Sequence, residues 1–172
     1  GYLKDLMIQD RTNITTIELD EGEKIPNNLS KFDAMLCMGG PMDTWMEDSY
    51  PWLINEKKKI KEFVVDLKKP YLGFCLGCQL LGEVIGGKVV KTNNPEIGML
   101  DINFLEKKNK DNLFSDFPKK ITSLQWHSYE VQDLEKNSDV TLLASSQETK
   151  YQIFKFQNHA YGIQFHIEIK DT

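Results

Sequence analysis

One segment constrains the fold of this chain more than any other: Pro70-Tyr-Leu-Gly-Phe-Cys-Leu-Gly-Cys-Gln79. It is apolar and strand-like as far as Phe74, helical in pattern from Leu76, and has Cys75 at the junction. A strand that becomes a helix within so few residues needs a sharp turn, and small residues on both sides of the cysteine permit it. Such a turn holds its tip residue out toward a substrate. The start of a helix also favours the thiolate, the reactive form of cysteine.

A cysteine nucleophile needs a base. His166 ends the apolar run Tyr161-Gly-Ile-Gln-Phe165 and is followed two residues later by Glu168. A carboxylate can hold the imidazole tautomer and stabilise its charged form, which makes His166 the favoured base. His127, in Gln125-Trp-His-Ser-Tyr129, is the rival, and His159 reads as an exposed loop residue. Acyl chemistry further needs two donors for a developing oxyanion. The N–H of Leu76 follows the nucleophile directly, and Gly40, in the turn Gly39-Gly40-Pro41, offers a second closely approaching backbone. Two other readings of Cys75 stay open: a buried core cysteine, and a redox pair formed with Cys78.

The bulk numbers narrow the class. The chain has 172 residues, 40% hydrophobic and 27% charged, enough for one domain with a real core. A net charge of −5 argues against a nucleic-acid surface. No apolar stretch is long enough to span a bilayer, and no basic-then-apolar leader precedes the first element, so no membrane role is expected. Three cysteines make no disulfide framework in a chain of this size, which points to a reducing cytoplasm. Cys37 reads as a core residue, and the lysine runs Lys57-Lys58-Lys59 and Lys107-Lys108 as solvated faces.

Strand and helix signals alternate in the first half. Ile14 to Leu19 and Phe32 to Met38 read as strands, and Pro51 to Lys69 as a helix with proline in its first turn and lysines at its end. A second helix runs from Leu76 to about Ile85, ended by Gly86-Gly87. Lys88–Lys91, Met99–Leu105, Ile121–Trp126, Val140–Ser145, Tyr151–Phe156 and Ala160–Phe165 all read as strands, with little helix between them. The expected architecture is an α/β layered domain, parallel early and antiparallel late.

These pieces together resemble the class I glutamine amidotransferases, and most nearly the stand-alone members similar to the amidotransferase domain of GMP synthase. The resemblance spans nearly the whole chain. It rests on Met38-Gly-Gly-Pro-Met42, Glu47 to Trp52, Leu72 to Leu81, Gly86 to Val89, Glu96-Ile-Gly98, Gln125-Trp-His-Ser128, Leu142 to Ser146, and Gly162-Ile-Gln-Phe-His166 with Glu168. It implies a three-layer sandwich about a central mixed, mostly parallel, flavodoxin-like sheet, with antiparallel strands in the second half. It implies that Cys75 attacks the side-chain amide of glutamine, with His166 as acid and base, Glu168 orienting it, and Gly40 and Leu76 binding the oxyanion. Gln79 matches a substrate-contacting glutamine, and Ser128 and Tyr129 match the segment that holds the amino-acid end. No metal or organic cofactor is implied. The partners implied are glutamine or a γ-glutamyl small molecule and a separate synthase subunit that takes the ammonia. The alternatives are a γ-glutamyl peptidase and a non-catalytic subunit. Where the family carries proline between histidine and glutamate, this chain has Ile167. Residues 1–172 are expected to form one such domain, without the family's first strand and last helix.

Overall fold

Ile153 and Phe154 are neighbours in sequence yet pack into different clusters of the core. That is the period-two alternation of a strand covered on both faces, and it explains how a single sheet organises the chain. In the computed structural model, which describes residues 2–169, the strands are β1 (Met35–Cys37), β2 (Tyr71–Phe74), β3 (Lys88–Phe104), β4 (Lys120–Gln132), β5 (Val140–Ser145), β6 (Ile153–Phe156) and β7 (Ala160–Ile163). They lie in one sheet in the order β1-β2-β7-β6-β5-β3-β4. The β1–β2 and β2–β7 junctions are parallel, and the others are antiparallel. The sheet is therefore mixed as expected but not mostly parallel: its parallel part is confined to β1, β2 and β7, because the later strands join through antiparallel pairings.

Helices α2 (Trp52–Lys61) and α3 (Leu76–Val84) cover one face, where Leu53, Ile60, Leu80 and Leu81 bury against Phe154 and Val131. On the other face Phe74, Ile102, Leu143, Ile163 and Phe165 form a second cluster, with Leu3 of α1 (Tyr2–Gln9) packed against it. A π-helical turn, Glu62–Asp66, continues α2 and buries Phe63 and Val64.

Several expectations are corrected. Ile14 to Leu19 forms no strand: residues 12–18 carry no regular structure, and Leu19–Glu21 make a 3-10 turn. Branched residues favour a strand only where a sheet offers backbone partners, and this segment has none among the described residues. The separate strands expected at Lys88–Lys91 and Met99–Leu105 are one 17-residue strand, β3, with a register shift between Lys91 and Glu96. The polar stretch between them suggested a loop, but its Thr92 and Glu96 point inward and are buried. Lys108 does not lie on a solvated face; it is buried, its ammonium donating to the carbonyls of Ser115 and Phe117. Lys57 is paired with both Glu47 and Glu83. His159 is not an exposed loop residue, for its Nε2 lies 2.9 Å from the Val64 carbonyl and its ring meets Phe156. The expectation about a helix after Glu168 concerns, in part, residues 170–172, which lie outside the described residues.

Candidate active site

Cys75 caps the N-terminus of α3 with φ 47° and ψ −101°. A non-glycine residue in that region is strained by roughly 1–3 kcal/mol and persists only where its surroundings fix it. Here they do. Its N–H donates to the Ile163 carbonyl of β7 at 2.9 Å, and its carbonyl accepts the Gln79 N–H at 3.1 Å. The two glycines allow the approach: a Cβ on Gly73 would collide with the Gly77 backbone, and one on Gly77 with the Cys37 carbonyl of β1. The strand, the turn and the helix are thus wedged together at the parallel part of the sheet, and the thiol is left half-buried at the tip.

His166 follows β7, the strand paired with β2, so the topology carries it to the same end of the sheet as Cys75. Its N–H donates to the Leu124 carbonyl of β4 at 2.9 Å, and its own carbonyl accepts from Ser123 Oγ at 3.0 Å. The backbone is thereby pinned to the neighbouring arm. Nδ1 lies 2.7 Å from Glu168 Oε1, leaving Nε2 as the nitrogen available for the site. The imidazole titrates at about 10: hydrogen bonding to Cys75 contributes most and Glu168 next, while burial works in the opposite direction. A Cβ on Gly39 would sit 3.3 Å from His166 Cε1 and 3.5 Å from Cys75 Cβ, so this glycine faces both groups at once. Glu168 Oε2 is buried without a hydrogen-bond partner among the described residues.

A cavity of about 370 Å³ opens over these groups, lined by Gly39, Gly40, Pro41, Cys75, Leu124, Trp126, His166 and Ile169. Gly40 also lies beside Leu76, where a Cβ on the glycine would come within 3.1 Å of Leu76 Cδ2. A hollow of about 410 Å³ along β1 and β2 holds none of Cys75, His166 and Glu168. The structure therefore brings Cys75, His166, Glu168, Gly40 and Leu76 together.

Gln79, Ser128 and Tyr129 do not line the cavity. Gln79 is buried, and its Nε2 donates to the Tyr129 carbonyl at 3.1 Å and to Gln164 Oε1 at 3.2 Å. The Ser128 carbonyl accepts from Thr92 Oγ1, and the Tyr129 ring meets Trp45 edge-on with centroids 4.5 Å apart. His127, the rival base, is buried inside the β3–β4 arm. Its Nδ1 lies 3.0 Å from the Tyr129 carbonyl, and its Nε2 lies 2.9 Å from Gln125 Oε1 and 3.3 Å from Glu96 Oε2. Burial pushes the Glu96 carboxyl up, but hydrogen bonding to His127 above all holds it below its ordinary value, and Gln152 Nε2 also donates to its Oε2 at 2.8 Å. Cys78 is fully buried, its thiol pushed far up by burial and by the nearby Cys75.

Sequence reasoning passed over Gln164. It is fully buried, and its Nε2 lies 3.8 Å from Cys75 Sγ. The available signal was a lone amide in the otherwise apolar run before His166. No set of three or more His, Cys, Asp or Glu side chains gathers as a metal site among the described residues. No helix among them is long and apolar enough to cross a membrane.

The chain matches the family model for glutamine amidotransferase class-I over residues 4–172. It is 33% identical over 154 residues to a subunit of the glutamine-hydrolysing GMP synthase of Sulfolobus acidocaldarius, covering 87% of this chain and 74% of that protein. The subunit of the same name from Saccharolobus solfataricus is 33% identical over 157 residues, covering 91% and 78%. Among solved structures, a glutamine amidotransferase from Thermotoga maritima superposes with a TM-score of 0.88 at 28% identity, covering 98% of this chain and 70% of that one.

Proposed function

The chain belongs to the class I glutamine amidotransferase family, and we propose that within it Cys75, His166 and Glu168 form the triad that hydrolyses the γ-amide of glutamine. The observation that carries this reading is the strained Cys75 turn opening into the same cavity as a histidine bonded to a carboxylate. Each piece has a chemical role. The Cys75 thiolate attacks the γ-carbonyl carbon, forming a C–S bond and an oxyanion held by the N–H groups of Leu76 and Gly40. Such preorganised donors act where charge develops. His166 gives a proton to the departing nitrogen, the C–N bond breaks, and ammonia leaves behind a γ-glutamyl thioester. His166 then takes a proton from water, which attacks the thioester, and glutamate is released with the thiolate restored. Glu168 holds Nδ1 so that Nε2 faces the reacting atoms.

Gln79, Ser128 and Tyr129 belong to the substrate's amino-acid end, with Gln79 acting through the Tyr129 carbonyl it holds. The whole chain acts as one amidotransferase domain. Relatives named as one subunit of a glutamine-hydrolysing GMP synthase support a separate synthase partner that accepts the ammonia. Three free cysteines and a thiol-dependent reaction fit a reducing compartment, the cytoplasm.

The test is release of glutamate from glutamine and from a panel of γ-glutamyl peptides, with Cys75→Ala alongside. Turnover of glutamine that vanishes in the variant is the expected result. Turnover that survives in Cys75→Ala would remove the thiol from the mechanism, and a preference for the peptides would make the protein a γ-glutamyl peptidase.

A further inference from the structure

The hydrogen bonds behind Cys75 form a chain whose direction is fixed at its far end. The Tyr129 carbonyl can only accept, and it faces both His127 Nδ1 and Gln79 Nε2. Gln79 must therefore turn its NH2 group toward Tyr129, and that same group lies 3.2 Å from the Gln164 side chain. Gln164 is left no choice but to offer its oxygen to Gln79. Its own NH2 is thus aimed at Cys75 Sγ, 3.8 Å away, within reach of a sulfur acceptor. Burial closes the alternatives: Gln164 has no exposed surface, and its backbone N–H is tied to the Gln152 carbonyl at 2.9 Å. A buried amide that could not place its hydrogens would be costly.

We propose that Gln164 is a further catalytic residue of this site, donating an amide hydrogen to the Cys75 thiolate. The inference rests on the reading of Cys75 as the nucleophile. The thiolate exists twice in the cycle: before the C–S bond forms, and again when hydrolysis of the thioester breaks it. A donor aimed at sulfur favours both moments, because it bonds a thiolate much more strongly than the weakly accepting sulfur of a protonated thiol. Gln79 gains a second task, setting the direction of the Gln164 amide. The other titratable groups close to the sulfur are His166, backed by Glu168, and Cys78 on α3, and all three stay the same in every variant below.

The experiment measures the rate of Cys75 alkylation by iodoacetamide, followed by mass spectrometry across the neutral to alkaline range. It compares the parent with Gln164→Met, which keeps the volume and removes the donor, and Gln164→Glu, which keeps the acceptor for Gln79 and places oxygen toward sulfur. A hydrogen bond to a charged group sets the scale. The profile is expected to move to higher pH by about one pH unit in Gln164→Met, a fall of about tenfold in rate on its rising limb. A larger move is expected in Gln164→Glu. Gln79→Met, which removes the bond that orients Gln164 along with the bond to the Tyr129 carbonyl and leaves the Gln164 amide itself in place, should move the profile in the same direction by less. It carries the test alone if the Gln164 variants do not fold. A profile that superimposes on the parent's in any folded variant overturns the proposal. Alkylation needs no substrate, so a parent that alkylates normally but releases no glutamate would count against the proposed activity and not against this relay.

Discussion

Two histidines in this molecule each sit within bonding distance of a carboxylate, and they differ in almost everything that matters. His166 lines a cavity beside Cys75, with Glu168 two residues away in sequence. His127 is enclosed in the β3–β4 arm, and its carboxylate, Glu96, comes from the opposite strand through the register Glu96↔His127. One pair has a free nitrogen facing a nucleophile. The other has both nitrogens spent on acceptors that brace the arm. A histidine beside an acid is therefore not by itself a base; what decides is whether the second nitrogen is left unspent next to something that reacts.

The largest expected effect separates the pairs by activity. His166→Ala should lower glutamate release on the order of 10²–10⁴-fold, and it also costs stability because Glu168 loses its partner. His127→Ala should spare the chemistry and act on stability alone, lowering unfolding free energy by about 2 kcal/mol because the buried Glu96 loses one of its donors and keeps Gln152. Urea denaturation checks it, and a His127→Ala protein as stable as the parent would dissolve the contrast.

A carboxylate buried without any histidine sharpens the comparison further. Glu56, on α2, is pushed up to about 7 by burial, a hydrogen bond with Cys37 opposing the shift only in part. The unfolded chain releases this proton near the ordinary value of 4.5 while the folded protein keeps it. Stability should consequently fall as pH rises from about 4.5 to about 7, by at most about 3 kcal/mol. Glu56→Gln should flatten that window and raise stability above it, as thermal melts across the same range would show.

The smallest effect concerns His166 itself. Its folded value, about 10, lies above the ordinary 6.5. Its contribution to stability is complete below 6.5 and is lost as pH rises toward 10. Because Cys75 is the largest cause, Cys75→Ser should lower the His166 midpoint by about one pH unit or more and narrow that window. NMR titration of the ring reads it directly, and an unmoved midpoint would mean that Glu168 alone holds the charge.

The contrast between the pairs also explains what could be read in advance. Glu168 is two residues from His166, and Gly73, Cys75 and Gly77 fall within one turn. Their relation is set by local sterics, so the strand-turn-helix junction and its histidine-acid neighbour were visible in the residues. Glu96 and His127 are brought together across two strands, and the register shift after Lys91 decides that they meet. Gln164 passed as part of an apolar run because nothing local shows that its neighbour in space is Cys75. Ile14 to Leu19 failed in the opposite sense: its composition favours a strand, but a strand exists only with a partner.

The sequence by itself determined the nucleophile's turn, the histidine-acid pair, the alternation of helix and strand, and the mixed character of the sheet. These follow from backbone sterics and side-chain periodicity over a few residues. Only the tertiary structure decided which histidine faces the thiol, which way the Gln79 and Gln164 amides point, and which lysines and carboxylates are enclosed. Those outcomes depend on strand register and on burial, which join residues far apart in the chain and leave no signature in any short stretch of it.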